Sequence, residues 1–198
     1  MRSICVYCGS SPGSSTRYRA AARTMAAELV REGISLVYGG GSVGLMGIIA
    51  DEVMQLGGIV TGVIPDALMQ REVGHTKLTQ LHVVRDMHER KALMAELSDG
   101  FIAMPGGIGT LEELFETTTW SQLGLHDKPV GLLNVDGFYD GLIEFMQHMV
   151  RQGFLRPEHA ALMLHDPYPT GLLEKMRAPA AQGKTKWLDQ GGASKILP

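Results

Sequence analysis

Short apolar runs alternate with amphipathic stretches along the first three-quarters of this 198-residue chain. Six runs have strand length: ICVYC (4–8), ISLVY (34–38), IVTGVI (59–64), LHVV (81–84), GFIAM (100–104) and PVGLLNV (129–135). Between most of them the apolar positions repeat every three to four residues, which predicts helices over about 15–32, 44–56, 86–98, 110–123 and 138–152. Punctuation residues support those boundaries. Gly33 sits where a helix would end in a left-handed turn, while Asp86-x-x-Glu89 and Thr110-x-x-Glu113 both have the spacing of a helix-start capping box.

Continuous apolar strands separated by helices predict a parallel sheet buried on both sides. The expected class is therefore α/β, a doubly wound parallel sheet with helices on both faces, Rossmann-like. The length suits a single domain spanning 1–198. The segment PDALMQREVGHTKLTQ (65–80) has no period and reads as a loop or lid at a strand edge. After about residue 170 the pattern is weak and predicts no element.

Parallel sheets bind ligands beyond the C-terminal ends of their strands. Three predicted strand ends run into Ser/Gly-rich loops there: GSSPGSS (9–15), GGGSVGLMG (39–47) and PGGIGT (105–110). Such loops let backbone N–H groups converge, and a helix start behind them favours an anion. Three on one edge point to a nucleotide-like ligand. GGGSVG (39–44) matches the dinucleotide fingerprint G-x-G-x-x-G, but it follows the second strand instead of the first, and the nearby acid, Asp66, lies beyond the strand end after Pro65. A dinucleotide is disfavoured on both counts.

Charge and composition narrow the picture further. A net charge of −3 with scattered basic residues predicts no general attraction to nucleic acid or to an anionic membrane. The only apolar run before Gly9 is ICVYC, too short for a secretory core, so a cytoplasmic location is expected. Cys5 and Cys8 would point to opposite faces of a strand, as buried thiols and not as a redox pair. The histidines at 75, 82, 88, 126, 148, 159 and 165 form no i, i+4 pair, so neither a metal nor a cofactor is expected.

One charge stands out. In DMHERKALMAELSD (86–99) the apolar stripe includes Met87, Met94 and Leu97, and Arg90 falls on it. An arginine there must snorkel to solvent or be paired; near the glycine loops it could also bind a phosphate or a purine. Lys91 could add a second cation or simply be solvated, and Glu112 reads as a solvated first-turn acid. Glu113 is equally open from spacing alone, as a helix cap or as a chemical group.

The stretch 87–139, with Pro105-Gly106-Gly107-Ile108-Gly109-Thr110-Leu111-Glu112-Glu113 at its centre, closely resembles the LOG ("lonely guy") family, whose signature is P-G-G-x-G-T-x-x-E. The resemblance extends to CGSSPG, VYGGGSVGLMG and the REVGH segment containing Glu72. It implies hydrolysis of the N-glycosidic bond of a nucleoside 5′-monophosphate, such as a cytokinin riboside 5′-monophosphate or AMP, to a free base and ribose 5-phosphate. By resemblance Arg90 and Glu113 are the catalytic pair, and Glu72, Lys91, Thr119 and the loop from Gly106 through Gly107, Ile108, Gly109 and Thr110 to Glu113 contact the substrate. The resemblance also implies a homodimer. The competing expectation is a nucleotide-binding module without catalysis, which could dispense with Arg90 or Glu113. The older label of the family, lysine decarboxylase, finds no pyridoxal-phosphate context around any of the seven lysines.

Overall fold

All six apolar runs form strands, and a computed structural model describing residues 1–69 and 74–178 shows how they assemble. The strands are β1 (Ser3–Tyr7), β2 (Ser35–Tyr38), β3 (Val60–Pro65), β4 (Gln80–Val84), β5 (Phe101–Ala103) and β6 (Val130–Leu133), and a seventh, β7 (Met163–Asp166), follows. The helices are α1 (Thr16–Arg31), α2 (Gly44–Gln55), α3 (Asp66–Met69), α4 (Met87–Glu96), α5 (Ile108–Gln122), α6 (Asp140–Arg151), α7 (Pro157–Ala160) and α8 (Pro169–Arg177). The sheet is entirely parallel, in the order β4-β3-β2-β1-β5-β6-β7.

That order fixes where a crevice can open. From β1 the chain steps outward through β2 and β3 to β4, then returns to the far side of β1 as β5 and continues outward the other way. Right-handed crossovers must place their helices on opposite faces when the direction of travel reverses. The core divides accordingly. Met25 and Leu29 of α1, Leu45 and Ile49 of α2 and Leu172 and Met176 of α8 pack on one face against Ile4, Val6, Leu36 and Ile102. Met94 of α4, Leu114 of α5 and Met146 of α6 pack on the other, against Cys5, Val37, Val63 and Phe101. The loops leaving β1 and β5 therefore diverge, and the gap between them is the switch point of the sheet.

Local sequence explains the best-predicted elements. In α1 the buried Ala22, Met25, Ala26 and Leu29 follow the i, i+3, i+4, i+7 pattern. Ser15 caps its start by accepting from Arg17 N, and Gly33, at φ +66°, closes its end with Ile34 N donating to Leu29 O. Each large apolar side chain buried on such a stripe contributes about 1.5–3 kcal/mol. Cys5 and Cys8 are both buried and lie in the cores of opposite faces, as their spacing predicts. Burial pushes both thiols well above the ordinary range.

Two expectations need correction. The segment 65–80 is not wholly irregular: α3 occupies its start, and Gly74 forms an antiparallel bridge with Gly41. The weakly patterned end of the chain holds β7 and α8, whose Leu172, Leu173 and Met176 are buried. Among the described residues no helix is long and apolar enough to cross a membrane.

Candidate active site

The three glycine loops meet at the switch point and are tied together through backbone groups. Gly9 N donates to Pro105 O at 3.1 Å, and Leu45 N, in the first turn of α2, donates to Gly9 O at 2.9 Å. The Tyr139 hydroxyl donates to Met104 O at 2.7 Å and anchors the end of β5 from below. Gly44 is confined to glycine twice over, by its φ of +63° and because a Cβ there would overlap the backbone of Ser10. The G-x-G-x-x-G match thus serves close packing between loops. Beside them lies a cleft of about 250 Å³, whose walls include Cys8, Met46, Arg90, Gly107, Thr110 and Glu113.

Helix α5 enters this cleft without a cap. It begins at Ile108, with Gly107 as N-cap and no side-chain bond to its first amides. Those N–H groups lack intrahelical partners by geometry and carry the positive end of the helix dipole. Gly107, Ile108, Gly109 and Thr110 all line the cleft, so the arrangement suits an anion. By contrast, α4 is capped by Asp86, which accepts from Glu89 N at 2.9 Å as its spacing predicts. The Thr110-x-x-Glu113 capping box does not form. The helix starts two residues before Thr110, which places Glu113 in the second turn, facing inward.

Glu113 meets Arg90 there. Both are largely buried, at 8% and 9% exposure, and Arg90 Nη2 lies 3.2 Å from Glu113 Oε1. The arginine on the apolar stripe of α4 is therefore paired and does not snorkel. A Cβ at residue 39 would overlap the Arg90 guanidinium, so only glycine at the end of β2 lets that group lie under the loop. Arg90 Nη1 reaches Met87 Sδ at 3.5 Å, and Nε is buried with no hydrogen-bond partner. Burial is the dominant influence on Glu113 and outweighs the opposing pull of Arg90, raising its carboxyl from the usual 4.5 to about 7. Glu112 and Glu116 add to the rise, and Lys91 opposes it. A buried acid poised near neutrality beside a fixed cation can accept a proton, face a developing positive charge, or both.

The other sequence candidates are placed differently. Lys91 bridges α4 and α5, with Nζ 2.5 Å from Glu112 and 3.0 Å from Glu116, so Glu112 is an ion-pair partner and not merely a solvated acid. Thr119 is exposed on α5, roughly 9 Å along the axis beyond Glu113, and does not line the cleft. Glu72 lies outside the described residues. Sequence reasoning missed Cys8, Met46 and Met87 as cleft residues, because nothing in a strand end or an apolar helix stripe distinguishes a wall from a core. Ile108 is 82% exposed at the lip of the cleft. Among the described residues no three of His, Cys, Asp and Glu gather to hold a metal.

Fold and site together define a Rossmann-type α/β protein with an uncapped helix start and a buried Arg–Glu pair in its switch crevice. A family described as "Possible lysine decarboxylase" matches residues 46–176. The Arabidopsis thaliana cytokinin riboside 5′-monophosphate phosphoribohydrolase LOG1 is 51% identical over 173 residues, covering 87% of this chain and 81% of that protein. Its counterpart LOG3 from the same plant is 50% identical over 175 residues, covering 88% of this chain and 81% of that protein. The chain belongs to this family, the LOG family. Among solved structures, the molybdenum cofactor carrier protein of Chlamydomonas reinhardtii has a TM-score of 0.63 at 19% identity, covering 87% of this chain and 94% of that one, a likeness of fold alone.

The raised Glu113 carboxyl has a consequence for stability. Between pH 4.5 and about 7 the folded chain holds a proton that the unfolded chain releases, so this group's contribution is complete below that window and is lost as pH rises through it. Thermal melts of the wild type and of Glu113→Gln across pH 5–8 should therefore converge or cross, the wild type losing ground as pH rises. Parallel melting curves over that window would show that Glu113 titrates in its ordinary range.

Proposed function

We propose that this chain is a phosphoribohydrolase that cleaves the N-glycosidic bond of a nucleoside 5′-monophosphate, a cytokinin riboside 5′-monophosphate or AMP, to free base and ribose 5-phosphate. The observation that carries the proposal is the buried Arg90–Glu113 pair beside the uncapped start of α5. The names of relatives about 50% identical over most of the chain support the same reading.

In this reaction water adds to C1′ of the ribose and the C1′–N bond breaks, its electron pair leaving with the base. The proton lost by water balances the one the base takes up. Positive charge builds on the sugar in the transition state, as in other glycosyl transfers. The Glu113 carboxylate stabilises that charge and receives the proton of the attacking water, a task suited to an acid titrating near 7. Arg90, fixed against Glu113, orients the carboxylate and turns its remaining donors toward the substrate. Gly106, Gly107 and Gly109, with Ile108 and Thr110, hold the 5′-phosphate on the first amides of α5. The family resemblance implies substrate contacts for Lys91, Glu72 and Thr119. Lys91 is also paired with Glu112 and Glu116, and Thr119 acts from the exposed face of α5 outside the cleft, the face offered to a second copy. The protein acts in the cytoplasm.

The phosphate assignment has a direct test. Charge-assisted hydrogen bonds contribute about 1.5–3 kcal/mol each, so AMP should be cleaved at least about 100-fold more efficiently than adenosine, with free adenine released. Equal rates on the two would overturn the phosphate site, and binding of AMP without any cleavage would favour the non-catalytic module.

A homodimer belongs to the same proposal. Outside the cleft, α5 presents Phe115 and Thr119 to solvent, with Trp120 and Leu123 half-buried beside them, a surface suited to a second copy. Light scattering at micromolar concentration should give about twice the chain mass, and a monomeric mass would reject the dimer.

A further inference from the structure

The Arg90 guanidinium has few anchors of its own: one ion pair, a contact to a methionine sulfur, and an Nε without a partner. What confines it on its remaining side is backbone, at Gly39. The position of residues 39–41 therefore decides where the cation sits. Residues 74–77, from a distant part of the chain, hold that loop.

The contacts converge on His75, which is 7% exposed. Its backbone N–H donates to Gly40 O at 2.9 Å, and the neighbouring Gly74 bridges Gly41. Its ring is held at both nitrogens. Lys77 N donates to Nδ1 at 3.4 Å, so the proton lies on Nε2, which donates to Asp51 Oδ1 of α2 at 2.9 Å. Helix α2 is the same helix whose first turn is bonded to Gly9. The imidazole thus fastens the loop after β2 to the helix that follows it.

We propose that His75, with Asp51 as its partner, is a positioning residue for catalysis: a latch that holds the Gly39–Gly41 backbone against Arg90 and so fixes the guanidinium relative to Glu113. His75 touches neither the cleft nor Arg90 and acts through the loop. The inference rests on the proposed hydrolase activity. Removing the ring frees the loop, widens the range of positions open to Arg90, and lowers turnover more than binding, because the phosphate site on α5 is untouched.

The test measures single-turnover cleavage of AMP, and AMP affinity by calorimetry, for the wild type, His75→Ala, His75→Gln, Asp51→Asn, Arg90→Lys and the double variant His75→Ala/Arg90→Lys. Glutamine can still donate to Asp51, and asparagine can still accept from His75. The expected result is a fall in turnover of about tenfold or more for His75→Ala, with AMP affinity changed less than threefold. His75→Gln and Asp51→Asn should keep most of the wild-type rate. In the Arg90→Lys background the His75→Ala change should add little further loss, since the group it positions is already altered. Wild-type turnover in His75→Ala, a loss confined to affinity, or a full multiplicative loss in the double variant would each overturn the latch while leaving the hydrolase reading intact. Failure of the wild type to cleave AMP or a cytokinin riboside 5′-monophosphate overturns the hydrolase reading, and the latch with it.

Discussion

A cation and a carboxylate buried side by side at the mouth of a parallel sheet are expensive to maintain, and much of this structure is arranged around that cost. Breaking such a pair by removing one partner typically destabilises by about 3–5 kcal/mol, because the other charge is left stranded. Arg90 and Glu113 come from helices that follow strands at different places in the sheet, yet their side chains lie 3.2 Å apart. That meeting requires α4 to cross back over the sheet to the β1–β5 switch, and it requires a glycine at position 39. Even so paired, the carboxyl is raised to about 7, so burial is stronger than the neighbouring charge. A pair kept for stability alone would be better replaced by apolar packing. The proposed hydrolysis gives the pair a reason to be kept.

The glycine loops supply the other half of the site, and each does a different job. The loop after β1 is the hub, bonded through Gly9 both to Pro105 and to the first turn of α2. The loop after β2 gives way to Arg90 and is in turn held by the segment around His75. The loop after β5 leaves the start of α5 without a side-chain cap, so its amides are free for an anion. In the proposed hydrolase, electrostatics follows the same division: a helix dipole for the phosphate, and a buried acid for the charge that develops at the sugar.

How much of this was legible in the sequence depended on distance along the chain. Arg90 was visible because a cation on an apolar stripe violates a local pattern, and the pairing it demanded is present. Glu113 was ambiguous because T-x-x-E fits a capping box, and the true start of α5 lies at Gly107-Ile108, where glycine and a β-branched residue give little helix signal. The strand β7, MLHD, was missed because it is a short edge strand with mixed polarity, and α8 because its nine residues carry barely two turns of stripe. The His75–Asp51 contact joins residues 24 apart with no local pattern to mark either. Tertiary pairing of that kind is set by the sheet order, which the alternation of strands and helices leaves open.

The central claim is that Glu113 works as a charged group in the transition state. Glutamine at 113 keeps the shape of the side chain and an oxygen facing Arg90 but removes the charge. Single-turnover cleavage of AMP by purified Glu113→Gln at pH 8, alongside its thermal melt and its AMP affinity, tests this most directly. A folded variant that binds AMP and is slower by about 100-fold or more is the predicted result, on the scale of losing one electrostatic stabiliser. A folded variant that cleaves AMP at the wild-type rate would contradict it.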